Sequence, residues 1–170
     1  MTYKEEVVRT MTEMGAHPDV VFVGEGIVTG DRIYGTMDDV PTEKCIEMPI
    51  AENLIMGVAM GLAIMGFRPI VVFQRMDFMT VAADGIINHL ALIPEMSNHQ
   101  YELPVIIRAI IGSKDEKFDV GCQHNKDLSY MFIDSIDCTR FRPTYYQDAL
   151  TSEKPYMIIE RKDEYETEIT

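Results

Sequence analysis

The sequence predicts a single α/β domain with a mostly parallel sheet covered by helices on both faces. Short apolar, β-branched runs recur along the chain, and segments with helical periodicity lie between them. That alternation is what parallel strands joined by crossover helices require. No repeat, low-complexity block or flexible linker interrupts the 170 residues, and 46% hydrophobic content is enough for one core.

Residues 3–14 read as a helix, because Val7, Val8, Met11 and Met14 fall on one face. Asp19-Val-Val-Phe-Val23 is a buried-strand run closed by Gly24. Residues 24–44, rich in Gly, Asp and Thr, read as loop, and Cys45-Ile-Glu-Met48 as a second short strand. After Pro49 comes a strongly apolar helix over 51–65, ended by Gly66. Pro69-Ile-Val-Val-Phe73 is the next strand, followed by a helix from about Met79 to Ile93. Leu103-Pro-Val-Ile-Ile-Arg-Ala109 is a further strand, then a polar loop spans 112–124. The connection from Asp134 to Pro143 is short; Tyr145 to Thr151 reads as a short helix and Tyr156-Met-Ile-Ile159 as a last strand. The charged tail after Glu160 reads as loose.

Fifteen Lys plus Arg against 28 Asp plus Glu give a net charge of −13. An anionic surface of this size repels phosphate backbones, so no nucleic-acid partner is expected. Cys45, Cys122 and Cys138 lack C-x-x-C spacing and suggest neither a disulfide framework nor a zinc site. The N-terminus carries no apolar signal core. The most apolar stretch, Leu54 to Phe67, is well short of the ~20 residues a membrane span needs. A cytoplasmic setting without a membrane partner is the expectation.

Chemistry concentrates at Pro49-Ile-Ala-Glu52-Asn53, where a carboxylate opens an otherwise apolar helix. The helix dipole alone favours Glu there, by roughly 0.3–1 kcal/mol. Apolar surroundings add a second reading, since burial disfavours a carboxylate's charge and suits it to proton transfer. Gly57, Gly61 and Gly66, with Ala59 and Ala63 between, would let another helix or backbone come close. Gln123-His124 closes the polar loop; a lone loop histidine is ordinarily incidental. Cys122 two residues before it does not make a thiol dyad, because no orienting acid can be named. Gly24-Glu-Gly26 lacks the third glycine of a dinucleotide fingerprint.

Taken in order, several runs resemble the pyrimidine-binding domain of the transketolase group of thiamine-diphosphate enzymes. They are Pro49-Ile-Ala-Glu52-Asn, Gly57-Val-Ala-Met-Gly61-Leu-Ala, Gly66-Phe-Arg-Pro-Ile70, Asp77-Phe78, Asp84-Gly-Ile-Ile-Asn88, Leu103-Pro-Val-Ile-Ile-Arg108 and Gly121-Cys-Gln-His124. The likeness is strongest to the beta subunit of the first component of 2-oxoacid dehydrogenases, such as those acting on pyruvate or acetoin. It extends over roughly residues 20–160.

The resemblance implies that Glu52 hydrogen-bonds the aminopyrimidine ring nitrogen opposite the amino group, so that the exocyclic nitrogen can take the thiazolium proton. It implies that Phe78 stacks on that ring and that Ile50 also contacts the cofactor. His124 would face the substrate, assisting proton transfer or stabilising developing charge. The family spacing is stretched by a few residues around Lys114–Phe118. The family's metal motif, Gly-Asp-Gly with a downstream Asn, has no match: Gly30-Asp31 is followed by Arg32, and Ala83-Asp84-Gly85 has Asn88 too near. No metal ligand is therefore expected here, and Mg2+ and the diphosphate are expected on a pyrophosphate-binding partner subunit. No pyrophosphate-binding domain and no C-terminal transketolase domain is expected within residues 1–170. The implied assembly is a heterotetramer of two pairs acting on a small-molecule 2-oxoacid or ketose. A split transketolase, a small-subunit 2-oxoacid decarboxylase and a non-catalytic scaffold stand as alternatives.

Overall fold

A computed structural model describes residues 1–114, 120–140 and 143–169. Its strands are β1 (Val20–Gly24), β2 (Cys45–Glu47), β3 (Arg68–Phe73), β4 (Ile106–Ile111), β5 (Asp137–Arg140) and β6 (Tyr156–Arg161). All pair in parallel, in the order β2-β1-β3-β4-β6-β5. The helices are α1 (Tyr3–Ala16), α2 (Glu52–Ile64), α3 (Ile93–Met96) and α4 (Pro143–Thr151).

Strand pleating sends alternate side chains to two separate cores. Val71, Phe73, Ile107, Ala109, Met157 and Ile159 pack under α2 and the 76–96 segment. Ile70, Val72, Ile106, Ile110 and Ile158 pack under α1, α4 and the 27–40 segment. Both faces are covered, as the continuous apolar strands require. Helix α1 starts on a capping box, in which Thr2 Oγ1 accepts from Glu5 N–H and the Glu5 carboxylate accepts from Thr2 N–H. Helix α2 ends at Gly66, whose φ of +92° supplies the left-handed turn that closes a helix.

Four expectations are revised. The helix read over 79–93 is a 3-10 helix (Met76–Thr80), a π-helical turn (Gly85–Leu90) and the short α3. Gly85 lies where a Cβ would come within 3.1 Å of Met56 Cβ, and Pro94 enters the first turn of α3. Strand β4 begins at Ile106 instead of Leu103, because Pro104 has no N–H for the ladder. Strand β5 was not assigned from the sequence: Asp137-Cys-Thr-Arg is too polar to read as a strand and sits at the sheet edge.

The tail is not loose. Tyr165 is 3% exposed, Tyr3 N–H donates to Thr167 O at 2.9 Å, and Ile169 N–H donates to Met1 O at 3.0 Å. What anchors it is a fully buried ion pair on the α1/α4 face. Arg108 Nε and Nη2 donate to the Glu160 carboxylate at 2.8 and 2.9 Å, and the Tyr165 hydroxyl donates to it at 2.9 Å. Arg108 Nη2 also donates to Thr36 Oγ1 at 2.7 Å.

Burial, and then the nearby Glu160 charge, push the Tyr146 and Tyr165 phenols well above their ordinary pKa, and Tyr3 is raised by the same two causes. A raised folded-state pKa contributes stability that is complete below the unfolded value and is lost as pH rises past it. The protein should therefore weaken above about pH 10, each such phenol removing roughly 1.4 kcal/mol per pH unit. Urea unfolding measured from about pH 9 to pH 11 checks this; an unfolding free energy that stays flat would contradict it.

Candidate active site

In open α/β sheets, sites form beyond the carboxyl ends of the strands where the strand order reverses. Here the chain leaves β1 for β2 on one side and returns to β3 on the other, so the reversal lies between β1 and β3. Glu25 follows β1, Gln74 and Arg75 follow β3, and Glu52 opens α2, the connection from β2 to β3. Glu25, Glu52, Ile55, Gln74 and Phe78 line one small cleft at this edge.

Glu52 is 9% exposed, yet its carboxylate accepts no hydrogen bond from any described residue. A carboxylate whose oxygens still open onto the cleft is available to a bound group. Phe78, in the 3-10 helix after β3, is half-buried and also borders a second cleft of about 410 Å³ with Asp77, Gln123, His124 and Lys126. Its ring meets the His124 imidazole edge to face, with centroids 5.2 Å apart. Phe78 thus joins the Glu52 cleft to the His124 cleft, and the three residues singled out from the sequence lie along one continuous surface.

The loop carrying His124 is tied to the segment after β3 at three points. Arg75 Nη1 donates to His124 O at 3.0 Å, Lys126 N–H to Asp77 Oδ2 at 3.2 Å, and Leu128 N–H to Met76 Sδ at 3.1 Å. Apart from Lys114, the Lys114–Phe118 stretch lies outside the described residues.

Ile50 stands apart from this convergence. It is 77% exposed in the turn before α2, and Leu54, Ile64, Met65 and Phe67 are exposed as well. The small residues of α2 divide between two faces. Ala59 and Ala63 are buried in the core, whereas Gly57 and Gly61 have nothing within 4 Å of where a Cβ would stand.

Asn88 Nδ2 donates to Asp84 Oδ1 at 2.8 Å, a local contact within one turn and not half of a cofactor motif. Among the described residues no group of three or more His, Cys, Asp or Glu side chains is placed to hold a metal ion. No described helix is long and apolar enough to cross a membrane.

Glu25, Gln74, Arg75 and Gly112 were not singled out from the sequence. The available signal was positional: a polar residue immediately after a buried strand stands at the carboxyl edge, where such sites form.

Known proteins resemble this chain in both sequence and fold. It is 32% identical over 133 residues to the beta subunit of acetoin:2,6-dichlorophenolindophenol oxidoreductase of Cupriavidus necator, covering 71% of this chain and 38% of that protein. It is 33% identical over 131 residues to the mitochondrial pyruvate dehydrogenase E1 component subunit beta-2 of Oryza sativa subsp. japonica, covering 74% and 34%. The 2-oxoisovalerate dehydrogenase subunit beta of Bacillus subtilis is 27% identical, covering 97% of this chain and 53% of that protein. The chain thus spans about a third to a half of the length of these relatives. A solved structure described as "Split gene transketolase, inactive beta4 tetramer" shares the fold, with a TM-score of 0.69 over 94% of this chain and 51% of that one at 19% identity. Residues 3–116 match the family described as "Transketolase, pyrimidine binding domain", and the chain belongs to that family.

Proposed function

We propose that this chain is the pyrimidine-side subunit of a heteromeric thiamine-diphosphate-dependent enzyme, with a 2-oxoacid as the favoured substrate class. The observation that carries the reading is the nearly buried carboxylate of Glu52, without a hydrogen-bond donor among the described residues, sharing a cleft with half-buried Phe78. This donor set fits an aminopyrimidine, offering an acid for a ring nitrogen and a flat apolar face for the ring. The relatives named for pyruvate and 2-oxoisovalerate favour 2-oxoacid chemistry over a ketose transfer.

Bound thiamine diphosphate supplies the electron sink for cleaving a bond beside a carbonyl. Glu52 holds a proton at the ring nitrogen, where the apolar first turns of α2 keep water away. Phe78 orients the ring, and Ile50 offers it an apolar contact from the turn before α2. His124, beyond Phe78, faces the substrate and holds or moves a proton there.

The diphosphate and Mg2+ fall to a pyrophosphate-binding partner subunit. Exposed Ile50, Leu54, Ile64, Met65 and Phe67, with open Gly57 and Gly61 among them, form the face that this partner covers. Glu52 opens the same helix on its buried side, so a cofactor at Glu52 lies near the N-terminal end of this face. Two such pairs give the assembly two sites.

The test is calorimetry of the purified chain with thiamine diphosphate and Mg2+. One hydrogen bond and one stacked ring contribute on the order of 1–3 kcal/mol. Micromolar affinity needs about 8 kcal/mol. Binding should be negligible for the chain alone and appear once the partner is added. Micromolar binding by the chain alone would overturn the split-site reading.

A further inference from the structure

His124 is held in an unusual way. Its φ is +70°, the left-handed region that few residues with a Cβ occupy. Two features meet at its carbonyl. Arg75, 8% exposed at the end of β3, donates from Nη1 to the His124 carbonyl at 3.0 Å. Gly112, just past β4, leaves the space this contact occupies: a Cβ there would collide with both the His124 carbonyl oxygen and Arg75 Nη1.

The guanidinium is itself placed from its other side. Its central carbon lies 5.7 Å from the centre of the Tyr34 ring, and the Tyr34 hydroxyl donates to Gln74 O at 3.1 Å. Arg75 and Gly112 meet at one carbonyl from two different segments, and Tyr34, from a third, lies beside the guanidinium. With the backbone of His124 fixed, its ring stands edge to face with Phe78 and borders the 410 Å³ cleft.

The geometry points to Arg75 as a positioning residue for His124, with Gly112 as the space that admits the contact. Arg75 touches neither substrate nor cofactor in this role. It acts by holding the His124 carbonyl, which sets the direction of the imidazole into the cleft. The inference rests on the proposed function only in giving that imidazole a substrate to face. The positioning itself belongs to the chain alone.

The experiment follows the His124 ring signals by NMR in the full chain without cofactor. Four histidines make the assignment tractable. In the wild type, Phe78→Leu should move the His124 signals, because the aromatic ring beside them is removed. In an Arg75→Met background the same exchange should leave them unmoved, and Arg75→Lys should restore part of the response. Gly112→Ala keeps the guanidinium but blocks the approach, and should abolish the response as Arg75→Met does, so the reading does not hang on one variant folding. An unchanged Phe78-dependent shift in folded Arg75→Met or Gly112→Ala would overturn the inference.

In the assembled enzyme, Arg75→Met should lower turnover roughly 10- to 100-fold, the scale of a small misplacement of a reacting group. Cofactor affinity should not change, and Arg75→Met with His124→Ala should be no slower than His124→Ala alone. If His124→Ala turned over at the wild-type rate, the proposed role of His124 would fail while the NMR result still decided the positioning.

Discussion

Glu52→Gln should lower turnover of the assembled enzyme about 100- to 10,000-fold, the usual contribution of a positioned acid–base group, while leaving the fold intact. Glutamine keeps the shape of the side chain and its place in the first turn of α2. No described residue donates to the Glu52 carboxylate, so the exchange strands no donor inside the protein. Losing the negative charge at the helix N-terminus costs only roughly 0.3–1 kcal/mol. What the amide cannot do is hand over a proton. It can still hydrogen-bond a ring nitrogen, so cofactor binding should change far less than turnover. The direct measurement is exchange of the thiazolium proton, followed by NMR in the complex with the partner. Exchange at the wild-type rate in the Gln variant would remove Glu52 from the activating role.

Why the placement of Glu52 was legible in the sequence and that of Arg75 was not follows from how each signal is written. Glu52 breaks a long apolar helix at its first turn, and that contrast is local. The strands β1 and β3 announce themselves the same way, as β-branched runs that only a two-sided core would retain. Arg75 acquires its role from Gly112 and His124, 37 and 49 positions away, and no window along the chain contains all three. Strand β5 failed to register because an edge strand faces solvent in part and is not selected for apolar residues. The 79–93 segment carried a helical period, but that pattern does not distinguish an α-helix from the π-helical turn found at Gly85–Leu90. The tail after Glu160 looked loose from its charge, yet one aromatic, Tyr165, docks it. Arg108 was the overlooked clue, since a charge inside an apolar strand run must find a partner across the sheet.

That partner makes Glu160 the position where a single exchange should cost most stability. Its carboxylate accepts from Arg108 Nε and Nη2, from the Tyr165 hydroxyl, and from the Tyr146 hydroxyl at 3.3 Å. Burial alone works against the Arg108 charge, but the charge and hydrogen bonds of Glu160 outweigh it and hold the guanidinium above its usual pKa. Glu160→Ala would leave a fully buried cation whose remaining described partner is Thr36 Oγ1, and would take away the carboxylate to which the Tyr165 and Tyr146 hydroxyls donate. Removing one member of such a pair costs about 3–5 kcal/mol, against a total of roughly 5–15 kcal/mol for a domain.

Replacing both charges should cost less than the two single exchanges added together. Arg108→Met with Glu160→Leu removes the desolvated ions together, and with them Arg108 Nη1, a buried donor without a hydrogen-bond partner among the described residues. The Tyr165 hydroxyl would still lose the carboxylate it donates to, at about 1–3 kcal/mol if left unsatisfied. The double variant should therefore remain below the wild type in stability but above Glu160→Ala. Urea unfolding of the wild type, Arg108→Met, Glu160→Leu and the double variant, with Glu160→Ala alongside, provides the comparison. Losses that simply add would mean that the two charges do not stabilise each other, and that the tail is held by the packing of Tyr165 instead of by the ion pair beneath it.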